Sequence, residues 1–251
     1  MFDALPTLGA LPWAVLAVAA LLVGVSKTSL PGLGTISVAL FAAVLPARAS
    51  TAAILLLLIL ADVFALAIYR RHADWPTLIR LIPAVVAGLI VGAFFLAFAD
   101  DAWVRRGIGV ILLLLMAATL WQRLRPRIQA CSPRRRRLER AWYGSLSGFT
   151  TMVANSGGAA MSMYLLTAGF SVKAFLGTAA WFFAVINLTK VPISIGLGLI
   201  TPATLVLDLV LAPAVVIGAL IGKWIGARIK QSVFEWAVIG FTVVGAVYLV
   251  I

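Results

Sequence analysis

The chain alternates between long apolar blocks and short breaks that carry charged residues or proline. Most blocks reach about 20 residues without alternation of apolar and polar positions, which favours membrane-crossing helices over barrel strands. The pattern predicts an all-α polytopic membrane protein of about eight helical segments. The apolar blocks cover residues 10–45, 50–69, 78–98, 103–121, 141–168, 174–199, 203–226 and 232–251.

The composition excludes most other classes of protein. Of the 251 residues, 63% are hydrophobic and 11% are charged, and a soluble fold of this size could not hide so much apolar surface. His72 is the only histidine and Cys131 the only cysteine. A histidine-rich metal site or a Ser-His-Asp triad is therefore not expected. We predict that the chain is not an enzyme and has no metal site and no cofactor.

The charges are concentrated in one segment. The chain has 20 lysines and arginines against 8 acidic residues, a net charge of +12. Positive charge between two apolar blocks is typical of a cytoplasmic loop that touches anionic lipid head groups, so no nucleic-acid partner is expected. We assign residues 122–140 to this basic loop. Eight of the basic residues lie in or beside it: Arg123, Arg125, Arg127, Arg134, Arg135, Arg136, Arg137 and Arg140.

Two blocks contain internal breaks that combine helix breakers with hydroxyl or amide side chains. The block 10–45 contains Ser26–Gly34, and the block 141–168 contains Asn155–Gly158. A helix break at membrane depth exposes backbone groups that lipid cannot satisfy, so it needs a covering of protein or a wet cavity. The N-termini of half-helices also suit an anion. A matched pair of breaks predicts a binding site for a small anion, and the alternative is two kinks stabilised by hydroxyl groups.

Three charged residues lie deep inside predicted spans, where charge is costly and usually functional. Lys27 is deep in the first block, and we interpret it as an anion contact, with snorkelling to the interface as the alternative. Lys190 shares a helix face with Asn187, and it either serves the site or reaches outer head groups. Asp62 either carries a coupling proton or pairs with a buried lysine. The expected substrate-binding residues are Ser26, Lys27, Thr28, Gly32, Gly34, Thr35, Asn155, Ser156, Gly157, Gly158, Asn187 and Lys190.

Other residues are given structural interpretations. We assign core packing to the aromatic residues in the middle of the sixth block, Phe183 among them. Four glycines at four-residue spacing predict close helix packing of the small-xxx-small kind and no ligand role. They are Gly88, Gly92, Gly218 and Gly222.

The two halves of the chain resemble each other. The segment Ile82–Gly88 matches Ala212–Gly218 at an offset of 130, and Gly24–Gly34 matches Gly148–Gly158 at an offset of 124. The order of the matches predicts two homologous repeats, residues 1–121 and 141–251. Each repeat would consist of a broken helix or hairpin followed by three transmembrane helices.

The number of crossings decides how the repeats are oriented. If each broken element enters and leaves on the same side, each repeat crosses three times and the repeats are inverted. If each broken element crosses once, the repeats are parallel, and Arg228 and Lys230 lie outside. The positive-inside bias favours the inverted arrangement, with the basic loop inside and both termini outside.

The sequence around both breaks resembles the TauE/SafE family of membrane transporters, also called the sulfite exporter family. The similarity rests on Gly24-Val-Ser-Lys-Thr-Ser-Leu-Pro-Gly-Leu-Gly-Thr35, on Gly148-Phe-Thr-Thr-Met-Val-Ala-Asn-Ser-Gly-Gly158, and on Asn187-Leu-Thr-Lys-Val-Pro192. The resemblance covers nearly the whole chain. It implies a multi-pass protein of a bacterial cytoplasmic membrane that transports small sulfur-containing anions, sulfite or organosulfonates, often outward.

The sequence therefore favours a secondary transporter of a small anion, and the two lysines beside the breaks independently favour an anionic substrate. No nucleotide-binding loop is present, so coupling to a proton or ion gradient, or facilitated diffusion, is expected. An anion channel or facilitator of the same architecture is the alternative. An intramembrane enzyme or assembly factor is disfavoured, because few groups inside the spans could do chemistry.

Overall fold

The structure, a computed structural model, describes residues 8–98 and 133–250. These residues form nine α-helices and one 3-10 helix, Arg70–His72, and contain no strand. The predicted block 103–121 and the part of the basic loop up to residue 132 lie outside the described residues. The helices are α1 (Ala10–Thr28), α2 (Leu33–Val44), α3 (Ala47–Tyr69), α4 (Trp75–Phe98), α5 (Pro133–Ala154), α6 (Gly157–Thr167), α7 (Val172–Gly196), α8 (Pro202–Gly226) and α9 (Gln231–Val250).

The helices follow the predicted blocks, with one difference at the basic loop. Helix α5 begins at Pro133, so the last part of the segment assigned to that loop is helical. Both predicted breaks interrupt helices, between α1 and α2 and between α5 and α6. Five of the helical segments are long and apolar enough to cross a membrane: Ala10–Thr28, Ala49–His72, Trp75–Phe98, Val172–Gly196 and Pro202–Gly226.

Polar side chains are buried while large apolar side chains are exposed, as expected for helices that face lipid. Asp62 and Lys190 are almost fully buried, whereas Phe94 is 65% exposed and Leu209 is 63% exposed. Lipid tails can cover such apolar side chains, but they cannot pair a charge. The described part of the chain is therefore a multi-pass membrane protein with a polar centre.

Glycines bring two pairs of helices into close contact. Helix α1 packs along α8, and α4 packs along α5. A side chain at Gly24 would collide with the backbone of α8 at Val215, and one at Gly148 would collide with the backbone of α4 at Val85. Gly88, Gly92, Gly218 and Gly222 lie in the same two interfaces, each with atoms of the facing helix where a Cβ would be. The close-packing role predicted for these four glycines is confirmed.

Helix α3 connects the two breaks. At its C-terminal end, the Tyr69 hydroxyl donates to the carbonyl of Thr28, the last residue of α1, at 2.9 Å. The end of α8 reaches the same place, because Gly226 lies against Tyr69 and Thr28. Near the N-terminal end of α3, Thr51 Oγ1 donates to the carbonyl of Val153 at 3.1 Å. The first break therefore meets one end of α3 and the second break meets the other.

Candidate functional site

The first break is a tight turn held by its own backbone. Helix α1 stops because Pro31 has no N–H group and restricts the residue before it. The first three N–H groups of α2, from Leu33 to Thr35, donate to the carbonyls of residues 30, 31 and 32 at 2.9, 3.0 and 3.2 Å. Hydrogen-bond donors for a ligand at this break must therefore come from side chains rather than from the start of the helix.

The second break is a left-handed helix stop. Asn155 has a φ of 55°, a conformation that asparagine tolerates better than most residues. Its N–H donates to the carbonyl of Thr151 at 3.0 Å, which is the 5→1 bond of an αL C-cap, and the N–H of Ser156 donates to the carbonyl of Thr150 at 3.2 Å. Helix α6 then begins at Gly157. N–H groups in a first turn have no acceptor within their own helix, so this break can offer backbone donors.

An ion pair links the first break to α3. The Lys27 ammonium lies 2.7 Å from Asp62 Oδ1, and the two side chains are 11% and 2% exposed. Asn187 of α7 donates through Nδ2 to Asp62 Oδ2 at 2.6 Å. The ammonium also lies 4.3 Å from the centre of the Phe183 ring, a cation–π contact. Of the two roles predicted for Asp62, pairing with a buried lysine is therefore observed.

A second lysine is anchored at the other break. Lys190 is fully buried, and its ammonium donates to the carbonyl of Thr151 at 2.5 Å and to Asn155 Oδ1. Asn155 Nδ2 donates to the carbonyl of Thr51 in α3 at 2.7 Å. Both of these acceptors of Lys190 are neutral oxygens. An ammonium group at this position is stabilised by a helix C-terminus and an amide.

Both breaks open onto one small cavity. The centre of a water molecule can occupy about 40 Å³ of it. An enclosed water needs roughly 10–15 Å³ by the same measure, so there is room for about three waters or one small oxyanion. The wall consists of Ser26, Lys27, Pro31, Gly34, Thr35, Leu58, Thr151, Asn155, Ser156, Gly158, Leu176, Ala179, Ala180, Phe183 and Asn187.

Four of the expected site residues lie outside this wall. Thr28 donates to the carbonyls of Gly24 and Ala219, at 3.0 and 3.1 Å, and so joins α1 to α8. Gly157 is packed so closely against Ser147 and Thr151 that a side chain at this position would collide with them. Gly32 is buried in the turn of the first break, and Lys190 lies behind Asn155. The other eight expected residues line the cavity.

Some residues of the site were not expected from the sequence. Phe183 was assigned to core packing, but it forms part of the cavity wall and lies beside Lys27. Thr51 was not singled out, although it bonds to both Val153 and Asn155 at the second break. A polar residue near the start of an apolar span is a usable signal, because a buried hydroxyl needs a partner. Nothing in the periodicity reveals Phe183.

Of three comparisons with known proteins, one gives a match. The comparison with curated proteins and the comparison with solved structures gave no match. The family model described as "Sulfite exporter TauE/SafE" matches residues 16–249, which include both breaks and every residue of the cavity wall. Because that match covers nearly the whole chain, the protein belongs to the TauE/SafE sulfite exporter family, whose members are membrane transporters and not enzymes.

Proposed function

We propose that this protein is a secondary transporter of small sulfur-containing anions, sulfite or organosulfonates, in the direction of export. The substrate is held between the two glycine-rich breaks. One observation carries this proposal: a single oxyanion-sized cavity is lined by both breaks and by the Lys27 ammonium. Family membership independently supports an anionic substrate.

The cavity wall offers contacts for both ends of an organosulfonate. The Lys27 ammonium supplies a charge-assisted hydrogen bond, and Thr35 supplies a hydroxyl. The start of α6, at Gly158, supplies backbone N–H groups of the first helical turn. The wall also includes Leu58 and Phe183, whose apolar side chains suit a short alkyl group.

Two inverted repeats, residues 1–121 and 141–251, form the framework of this proposal. Gly24 packs on Val215 of α8. Gly148, which lies 124 residues after Gly24, packs in the same way on Val85, which lies 130 residues before Val215. Gly218 packs on Leu21, and Gly88 packs on Ser145, so a second pair of contacts matches at the same two offsets. Contacts that recur at the offsets of the sequence repeat support a duplication.

The arrangement of helix ends supports inversion of the repeats. The C-terminal ends of α1 and α3 meet through Thr28 and Tyr69, so α1 and α3 run in the same direction. Helix α2, with 12 residues, is about 18 Å long and too short to cross the roughly 30 Å hydrocarbon core. If α1 and α2 form a hairpin, α2 need not cross the membrane and α3 again runs in the direction of α1. A hairpin followed by three spans gives each repeat an odd number of crossings.

The inverted arrangement places the protein in a membrane with a defined orientation. The basic loop, residues 122–140, lies on the cytoplasmic side of a bacterial inner membrane, close to anionic lipid head groups, and both termini lie outside. This orientation follows from the charge bias of the sequence.

Asp62 is our candidate for coupling transport to an ion gradient. It is the carboxylate that holds Lys27, the cation of the cavity wall. A proton on Asp62 would break the ion pair and change how tightly Lys27 holds a bound substrate, so the ion pair is the natural point at which a second ion acts. Substitution of Asp62 by asparagine is expected to abolish uphill accumulation while downhill exchange continues.

Flux in proteoliposomes tests the site. We expect Lys27→Gln to reduce sulfite and methanesulfonate flux by at least about tenfold, because a charge-assisted hydrogen bond is worth roughly 1.5–3 kcal/mol. Lys223→Gln is the matched control, because Lys223 is exposed and outside the cavity wall. Normal flux in a folded Lys27→Gln variant would refute the site, and flux without saturation or counterflow would identify a channel.

A further inference from the structure

We propose that Asp62 sets the charge of the transported anion, so that the site takes a monovalent oxyanion, such as a sulfonate or hydrogen sulfite, and rejects a divalent one. The proposal rests on the proposed function, because it concerns the same cavity. It goes further by identifying the residue that selects the substrate by its charge.

The first argument is the charge of the buried cluster. Lys27, Lys190 and Asp62 are all buried. Asn187 donates to Asp62, Lys190 donates to Asn155, and both asparagines line the cavity. With both lysines as ammonium groups and Asp62 as a carboxylate, the cluster carries a net charge of +1. Lys27 is the one charged side chain of the cavity wall among residues 8–98 and 133–250, and Asp62 and Lys190 lie just outside that wall.

The helix ends at the site do not change this count. Each break brings one helix C-terminus and one helix N-terminus together, at Thr28 and Leu33 and at Ala154 and Gly157. Their partial charges are of similar size and opposite sign, so they largely offset each other. The integer charges of the three side chains therefore decide the electrostatic balance of the site.

The second argument is the position of the carboxylate. Asp62 lies behind Lys27, outside the cavity wall, and Asn187 holds its other oxygen at 2.6 Å. Its negative charge is therefore fixed close to any anion bound at Lys27. A monovalent anion makes the occupied site neutral, whereas a divalent anion leaves an uncompensated charge in a poorly solvated interior, which is strongly unfavourable.

The third argument is an unpaired acceptor. Asn187 lines the cavity and is 1% exposed, and its Oδ1 is buried without a hydrogen-bond partner in the described part of the chain. A buried acceptor without a donor is costly, and a ligand with one donor would satisfy it. Hydrogen sulfite and hydroxyalkyl sulfonates carry both one negative charge and one O–H group, whereas fully ionised sulfate and sulfite have no donor.

The test compares two tetrahedral probes of similar size, methanesulfonate with one negative charge and sulfate with two. Ligand-dependent thermal stabilisation of the purified full-length protein gives the affinity for each probe. We expect wild type to bind methanesulfonate at least about tenfold more tightly than sulfate, since one full charge at a few ångströms has an effect of at least that size. Asp62→Asn raises the cluster to +2 and should reverse the preference.

Two controls keep the result interpretable. Asp208→Asn removes another buried carboxylate that does not line the cavity, and its preference should match wild type. Lys190→Gln makes the cluster neutral and should weaken the binding of both anions. The comparison of the two probes on wild type needs no variant, so it remains decisive if Asp62→Asn does not fold.

The outcomes separate this inference from the proposed function. If wild type binds methanesulfonate but binds sulfate equally well or better, the role of Asp62 in charge selection is refuted while the anion site stands. If Asp62→Asn folds and keeps the wild-type preference, the inference is also refuted. If neither probe nor sulfite stabilises wild type, the anion site itself is refuted.

Discussion

Asn155 connects three helices through one residue. Its backbone ends α5 in the left-handed conformation, its amide nitrogen donates to α3 at Thr51, and its amide oxygen accepts from Lys190 of α7. Loss of this side chain would leave the Lys190 ammonium with one acceptor fewer in a dry interior. The residue therefore has a backbone role and a side-chain role, which substitutions can separate.

The comparison of Asn155→Gly with Asn155→Ala makes this separation. Both variants lose the contacts of the amide, so both should lose anion flux in proteoliposomes. Alanine adds the cost of a left-handed conformation, about 1–2 kcal/mol, which glycine avoids. Asn155→Ala should therefore melt at a lower temperature than Asn155→Gly. Equal melting temperatures would show that the break does not depend on the left-handed residue.

The buried charged residues show how much of the site could be predicted from the sequence alone. The position of Lys27, Asp62 and Lys190 inside apolar blocks predicted that they matter, because charge in lipid needs a partner. The pairing of Lys27 with Asp62, rather than with another charge, depended on which face of α3 meets the first break. Helical periodicity within α3 does not contain that information.

At the scale of elements, the two close helix pairs fix the depth at which the breaks lie. Helix α1 is held against α8, and α5 against α4, by glycines that let the backbones touch. Contact of this kind depends on van der Waals packing, because lipid gives no hydrophobic drive for helices to associate. The hydrogen bonds between the breaks and α3 therefore depend on these two helix pairs staying in close contact.

Gly24→Ala and Gly148→Ala test this packing. A methyl group at either site would collide with the backbone of the facing helix, which a flexible side chain cannot relieve. Overpacking of this kind costs about 1–3 kcal/mol, so the melting temperature should fall. Gly240→Ala is the control, since nothing lies within 4 Å of its added methyl group. No difference between these variants and the control would contradict the close contact.

At the scale of the whole molecule, the turn after α8 and the turn before it should lie on opposite sides of the membrane. The turn after α8 carries Arg228 and Lys230, and the turn before it carries uncharged Thr201. The positive-inside bias predicts that the charged turn is in the cytoplasm. The same orientation places the basic loop inside.

Cysteine labelling tests this orientation. In a Cys131→Ser background, a single cysteine at Lys230 should react with an impermeant maleimide only in inside-out vesicles. A single cysteine at Thr201 should react only in right-side-out vesicles, and it serves as the matched control. Labelling of both positions from the same side, or in the reverse pattern, would refute the proposed orientation.

The sequence by itself determined the membrane class, the helices, the two breaks and most residues of the cavity wall. These features follow from local rules, because lipid demands long apolar helices and because proline, glycine and asparagine interrupt them at fixed places. Only the tertiary structure decided that Asp62 faces Lys27, that Lys190 bonds to neutral oxygens behind Asn155, and that Phe183 joins the cavity wall. Those contacts join helices distant in sequence, and their partners depend on how the helices rotate and pack against each other.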